Sequence, residues 1–508
     1  MNANAQPKSA LVIGAGPAGL TAAWVLGRQN VRVLVLEADT IVGGIARTSE
    51  YKGFRFDIGG HRFFSKVRAV EALWNEMLGP EMLTRPRLSR IYYDGKWFDY
   101  PLKAGNALMG LGLTRTIAIG FSYLWRQLFP IKPEVSFEDW TVNRFGWSLY
   151  NTFFKAYTEK VWGIPCNQIG AQWAAQRIKG LSLWSAAREM MLAPFRSKNS
   201  TKIRSLIEEF KYPRLGPGMM WETFTTKVEA QGNTVQMASA VVKLHHAIGR
   251  ITAVDYKKDG AITRVPVEAV VSTMPLRQLI DALSPEAPKE VRDAAHQLSY
   301  RDFLTVALIV NQAEMFPDNW IYVHDPGVKL GRIQNFKNWS PEMVPDQSKT
   351  CLGLEYFCFE GDGLWTMADK DLIALGTKEL AAIGLADPSK VVDGTVVRMP
   401  KAYPVYDGGY LQALEVLRAY LTTFTNLQLA GRNGLHKYNN QDHAMVTGIL
   451  AAKALLGAKA DPWLVNVEDD YHEEGGDSFD PGGDLSELLG SQPAVPVAAK
   501  DLELRVKS

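Results

Sequence analysis

The sequence predicts an α/β fold: a discontinuous domain built on a parallel sheet, an inserted helical region and an antiparallel-sheet domain. Three observations lead there. A strand, glycine turn, helix and strand open the chain; strand and helix patterns return beyond residue 426; and between them lie a long helical stretch and several apolar strand-like runs. At 508 residues, with 46% hydrophobic and 22% charged side chains, the chain can bury a large core in roughly two to four domains. A disordered chain, a fibre and a small disulfide-stapled module are excluded.

Ser9–Ile13 reads as a short apolar strand, followed at once by Gly14-Ala15-Gly16-Pro17-Ala18-Gly19. Leu20–Leu26 then reads as a helix and Val31–Leu36 as a second buried strand ending in Glu37. This is a Rossmann-type βαβ unit. Gly14 permits the tight turn, Gly16 lets backbone N–H groups approach a pyrophosphate, and Gly19 lets the helix pack closely on the strand. The positive helix end faces the phosphates, and Glu37 is placed to bind a ribose. Gly43-Gly44-Ile45-Ala46-Arg47-Thr48 adds a second close backbone approach and, in Arg47, a fixed cation for a phosphate.

Helical spacing resumes from Lys66 to about Leu83, and Ile91–Tyr100 reads as a hairpin around Asp94-Gly95. Residues 104–210 are mainly helical and rich in Trp and Phe. Within them Ala104–Leu128 is long and apolar, but Arg115, Arg126 and three glycines interrupt it as a membrane span. A helix pair lining the core is expected, with peripheral contact in the membrane plane as the lesser alternative. Strand character returns at Val241–Val254, Val265–Ser272, Thr305–Val310 and Gly353–Phe359, and strand, glycine turn and helix recur at Leu427–Ala430, Gly431 and Asp442–Leu456. The resulting division is 1–100, 211–283 and 426–458 for the cofactor domain, 101–210 for a helical cap, 284–425 for a mixed-sheet substrate domain and 459–508 for an acidic, partly flexible tail.

The glycine-pair segment after the acid resembles the FAD superfamily of flavin amine oxidases, protoporphyrinogen oxidases, phytoene desaturases and UDP-galactopyranose mutases. Val270–Pro275 and Leu429-Ala430-Gly431-Arg432 resemble that superfamily's returning strand and its C-terminal flavin-contacting turn. The resemblance implies non-covalently bound FAD, with Gly14, Gly16, Gly19, Glu37, Gly43, Gly44, Arg47, Gly60, His61, Gly431 and Arg432 as cofactor-binding residues. Several stretches resemble the mutase branch. Asp57–Phe64 is similar to its segment beside the isoalloxazine, Tyr157-Thr158-Glu159-Lys160-Val161-Trp162-Gly163 to its Tyr-Thr-Glu-Lys-x-Trp-Gly block, and Arg177-Ile178 to part of a two-arginine motif whose second arginine is here Leu181. Arg332, Tyr403-Pro404-Val405 and Lys437-Tyr438 match further positions. That branch implies a redox-neutral reaction in which flavin N5 acts on the anomeric carbon of a nucleotide-linked sugar. Arg177, Arg332 and Arg432 would hold the diphosphate, Tyr403 and Tyr438 would orient its oxygens, Trp162 would stack on sugar or base, and His61 would adjust the flavin. The rival expectation is a net redox enzyme, a dehydrogenase, oxidase or desaturase, on a sugar, lipid or ring substrate.

Charge supports a small anionic ligand, such as a UDP-sugar. The net charge of +2 conceals ten acids and no Lys or Arg in residues 461–490, so the rest of the chain is basic. Nothing indicates a nucleic-acid partner, and no motif names the reductant of the flavin. His245 and His246 read as structural, whereas His436 and His443 could line the flavin edge. Cys166, Cys351 and Cys358 lack metal-ligand spacing and read as buried free thiols; no metal site is expected. The polar start, Met1–Ala10, has no apolar signal segment, so a cytoplasmic setting is expected.

Overall fold

The computed structural model describes residues 6–65, 67–100, 106, 110–171, 173–174 and 209–465. Its first layer is a five-stranded, wholly parallel sheet in the order Leu427–Leu429, Val270–Ser272, Ser9–Ile13, Arg32–Leu36 and Thr234–Gln236. Strands from four separated stretches therefore meet in one sheet, one of them, Thr234–Gln236, at a place where the sequence reading has no strand. The Pro17–Arg28 helix starts with Pro at its first turn, where the missing N–H costs nothing. It is buried from Ala18 to Leu26, packed between the sheet and the Gln441–Leu455 helix, itself buried from Gln441 to Lys453. The crossing is so close that a Cβ on Gly448 would lie 2.2 Å from the Ala18 carbonyl oxygen.

A four-stranded sheet, Ala261–Pro266, Arg250–Lys258, Ala240–Ala247 and Leu283–Ser284, is interleaved in sequence with the cofactor strands. The larger second layer has seven strands in the order Val391–Pro404, Tyr300–Val310, Thr350–Cys358, Arg332–Asn335, Trp320–Val323, Ser89–Tyr93 and Lys96–Asp99. Every neighbouring pair is antiparallel except Trp320–Val323 against Ser89–Tyr93. The hairpin that the boundaries above group with the cofactor pieces thus hydrogen-bonds into this sheet. The helix expected from Lys66 to Leu83 is Arg68–Leu78; Gly79-Pro80 ends it, and Met82–Pro86 pairs as a strand with Glu209–Pro213.

In the helical region Leu113–Leu128 packs on Phe137–Leu149, which begins with a capping box between Ser136 and Asp139. Gly146, at φ +78°, makes the contact: a Cβ there would stand 2.7 Å from the Ser122 backbone. A π-turn at Tyr150–Phe154 leads into Lys155–Trp162. Among the described residues no helix is long and apolar enough to cross a membrane. All three cysteines are buried and free. Asp461, at the start of the acidic segment, pairs with Arg418 at 2.6 Å, and Trp463 packs into the core.

Candidate functional site

A cavity of about 650 Å³ opens at the carboxyl ends of the parallel strands, where ligands settle in open α/β sheets. Gly14, at φ +100°, turns the chain off the first strand, and its N–H donates to the Leu36 carbonyl at 2.8 Å. No side chain fits there, because a Cβ would lie 2.1 Å from Thr273 Oγ1. Gly16 and Gly44 face each other across the cavity floor, each Cβ position meeting only the other's backbone, at 3.9 and 3.5 Å. A substituent on either would fill the space that a pyrophosphate needs. Glu37 lines the cavity and accepts from the Ala15 and Asp39 N–H groups at 2.6 and 2.9 Å. His61, Gly431 and Arg432 line it as well.

Four other expected cofactor residues support the wall from behind. Gly19 allows helix on strand, since a Cβ would lie 1.9 Å from the Gly14 oxygen. Gly43 donates to the Ala15 carbonyl at 2.8 Å, and a Cβ on Gly60 would lie 3.0 Å from Gln334. Arg47 is buried and ion-paired with Asp39, its charge already answered by protein.

Sequence reasoning missed several wall residues. Thr273 anchors the returning strand by donating to the Ile13 carbonyl at 2.7 Å. Gln441, whose Oε1 is buried without a protein partner, stands at the start of the last helix and lines the cavity. Its signal was Asn440 ahead of an apolar helical run, an N-cap that aims a helix terminus inward. An uncompensated acceptor, two facing glycines and two helix N-termini fit a dinucleotide with phosphate and ribose groups.

Arg432 joins this cavity to an aromatic cleft. Three of its N–H groups go to backbone carbonyls of Asn439 and Ala402, at 2.8–2.9 Å, and its guanidinium lies over the rings of Tyr438 and Tyr403, at 4.8 and 5.4 Å. Arg432 is therefore a brace for the stacked Tyr403–Tyr438 pair, whose centroids are 5.4 Å apart and planes 13° apart. Arg332, the expected anion-binding residue, donates to the Tyr403 hydroxyl at 2.9 Å and is ion-paired with Glu355. Glu355 is fully buried and also accepts from Gln334 at 2.8 Å. Its signal was a lone acid inside the apolar run Thr350–Cys358.

His61 Nδ1 lies 3.2 Å from the Gly59 carbonyl. A carbonyl only accepts, so Nδ1 carries the proton and Nε2 is an acceptor. Burial pushes the imidazole down to about 3, with Arg432 and Arg332 adding repulsion, so it is neutral at physiological pH.

The Tyr157–Gly163 block is largely structural. Lys160 Nζ donates to the carbonyls of Val323, Asp325 and Leu330 at 2.9–3.0 Å, and Glu159 accepts from the Cys166 N–H at 3.2 Å. Trp162 packs among Trp173, Tyr403, Tyr406 and Tyr438, and Tyr157 stacks on His324 at 4.3 Å. His245 pairs with Asp255 at 2.8 Å and His246 contacts the Pro285 carbonyl, both structural roles. His436 sits buried beneath Val405, and His443 accepts the Asn440 N–H in the final helix cap; neither lines the cavity. Among the described residues no cluster could hold a metal. Arg177 and Leu181 lie outside the described residues.

Residues 190–456 match the family described as flavin containing amine oxidoreductase, and residues 12–77 match the NAD(P)-binding Rossmann-like domain. The all-trans-retinol 13,14-reductase of Rattus norvegicus is 25% identical over 316 residues, 57% of this chain and 51% of that protein. An L-amino-acid oxidase of Crotalus adamanteus is 41% identical over 70 residues, 14% of each. The chain thus spans at most about half the length of these curated relatives. Among solved structures, reduced UDP-galactopyranose mutase superposes with a TM-score of 0.77 at 21% identity, over 92% of this chain and 100% of that one. A CLA-producing fatty acid isomerase from P. acnes gives 0.57 at 14% identity, over 88% and 98%. These two likenesses concern the fold. The family match spans more than half of the chain and takes in the last helix, while the glycine cradle falls within the Rossmann-like match: the chain belongs to the flavin containing amine oxidoreductase family, and its cofactor is FAD.

Proposed function

We propose that this flavoenzyme acts on a sugar carried on a diphosphate, in the manner of a UDP-galactopyranose mutase. The observation that supports the reading is the Arg332 assembly, a half-buried guanidinium fixed by Glu355 and Tyr403 in the cleft that Arg432 joins to the cofactor cavity. Bound FAD supplies, through N5 of its reduced ring, the nucleophile for the anomeric carbon. The protein's task is then to stabilise charge on the departing diphosphate. Arg332 is ion-paired through Nε with Glu355 and gives one Nη2 hydrogen to Tyr403, and among the described residues its Nη1 group has no protein partner. Nη1 and the Tyr403 and Tyr438 hydroxyls form the anion-holding face. His61, neutral and with Nε2 as acceptor, orients a donor without adding charge beside the ring.

One observation favours a second reading, hydride exchange with an apolar ring or lipid. Glu355 neutralises Arg332, and Phe357, Tyr157, Tyr322 and Trp162 make the surrounding wall largely aromatic. The two readings separate in one assay. Dithionite-reduced holoenzyme is incubated with UDP-hexopyranoses, and products are resolved by chromatography. The mutase reading expects a ring-isomerised UDP-sugar with no net flavin oxidation. It is overturned if no UDP-sugar isomerises while an alcohol or alkene reduces the oxidised flavin stoichiometrically.

A further inference from the structure

Exposed apolar side chains on this molecule are mostly scattered singly, with one exception. Ile117, Phe121, Leu124, Trp125, Leu128 and Phe129 are 50–72% exposed and fall within thirteen consecutive residues. At 100° per residue the five from Ile117 to Leu128 occupy one arc of about 100° on the outer face of the Leu113–Leu128 helix. The opposite face is used: Ile119 is buried in the core, and Ser122 meets Gly146. Val135, 68% exposed, follows six residues after Phe129.

We propose that this face docks in the plane of a lipid bilayer bearing anionic headgroups. A helix with an apolar arc too short to span suits the headgroup–acyl boundary, and Trp125 stacked on Phe129 at 4.5 Å places aromatic rings where they partition best. The charges around the patch choose the partner. In the helix and the segments that meet its two ends stand Lys96, Arg115, Arg126, Lys132 and Arg144, against Asp94 and Glu134, with Arg115 and Arg126 on the side of the helix away from the arc. Both acids are neutralised, Asp94 by Arg115 and Glu134 by Arg144, each at 3.0 Å. Lys132, three residues beyond Phe129, has no carboxylate partner among the described residues, which complements lipid phosphates and would repel an identical face on a second copy. Ile119 also belongs to the core cluster containing Trp162 and Tyr403, so the docked helix and the cleft share one packed body. This inference does not depend on the reaction proposed above.

The test is flotation of the full-length holoprotein with vesicles of phosphatidylcholine alone or with about one-quarter phosphatidylglycerol. The protein should float with the anionic vesicles. Phe121→Glu combined with Leu128→Glu should cut the bound fraction about tenfold or more while flavin content and thermal midpoint stay unchanged. Lys132→Glu should lower partition into anionic vesicles by about fivefold and leave neutral vesicles unaffected. Failure of the wild type to float, or equal flotation of the double variant, overturns the proposal. A wild-type dimer that the double variant dissociates, without vesicle binding, assigns the face to a second copy and also overturns it.

Discussion

At the scale of single residues, Arg332 and Glu355 behave as a unit. Glu355 is buried and Arg332 half-buried, and among the described residues Arg332 and Gln334 answer the Glu355 charge. Removing one partner of such a pair leaves a bare charge in low dielectric, whereas replacing both with groups of similar volume is often nearly neutral. Arg332→Ala should therefore lose about 3–5 kcal/mol of stability in urea unfolding, before any effect on ligand is measured. Arg332→Met with Glu355→Gln should recover most of that loss. The recovered double variant is the proper background for the anion test: UDP affinity measured by calorimetry should fall by about 1.5–3 kcal/mol, the value of a charge-assisted hydrogen bond. Unchanged affinity would remove Arg332 from the diphosphate face. Arg332 entered the sequence reading through its resemblance to a diphosphate arginine, but its partner did not, because a lone acid in an apolar strand announces burial without naming the cation across the sheet.

At the scale of elements, the glycine turn separates two functions that its sequence pattern runs together. Gly16 faces open cavity, with only Gly44 within 4 Å of a Cβ position, whereas a Cβ on Gly19 would lie 1.9 Å from the Gly14 oxygen. Gly16→Val should then give a folded protein without flavin, seen as loss of the visible chromophore with the far-ultraviolet spectrum retained. Gly19→Ala should instead disturb the joint of helix and sheet and lower the thermal midpoint. If Gly16→Val keeps its flavin, the cradle assigned to the pyrophosphate is wrong. The opening unit was readable because turn, strand and helix are local and each glycine has a separate steric reason. The Val391–Pro404 strand, which delivers Tyr403, was not. Its burial is intermediate along most of its length, and Lys, Arg, Met and Pro break the alternation that marks a strand. Nor could the parallel pairing of Ser89–Tyr93 with Trp320–Val323 be read, since residues some 230 apart share no local signal.

At the scale of the whole molecule, three histidines from distant segments act together on stability. Burial holds His61 and His324 down to about 3 and His436 down to about 4, against 6.5 when free. Arg432 and Arg332 add repulsion at His61, and Lys160 adds it at His324. Because the folded values lie below the unfolded one, the unfolded chain binds more protons between them. Stability is thus fully present above about pH 6.5 and lost as pH falls toward 4, by at most about 4 kcal/mol per pH unit for the three together. Asp57 works in the other direction: burial raises its carboxyl, so folding regains stability from it as pH falls. Asp255, held low by Arg264 and His245, contributes to the acid loss only below the usual aspartate range. The expected profile is therefore a plateau near neutrality and a steep loss between pH 6 and 4.5, measured as the urea midpoint of the holoprotein. His324→Asn should make that limb shallower by about one proton, because the amide neither charges nor requires a neutral site. A midpoint flat from pH 7 to 5 would show that these imidazoles reach solvent in the folded state. The packing that seats Tyr157 against His324 and the cavity wall against His61 would then be looser than the distances require.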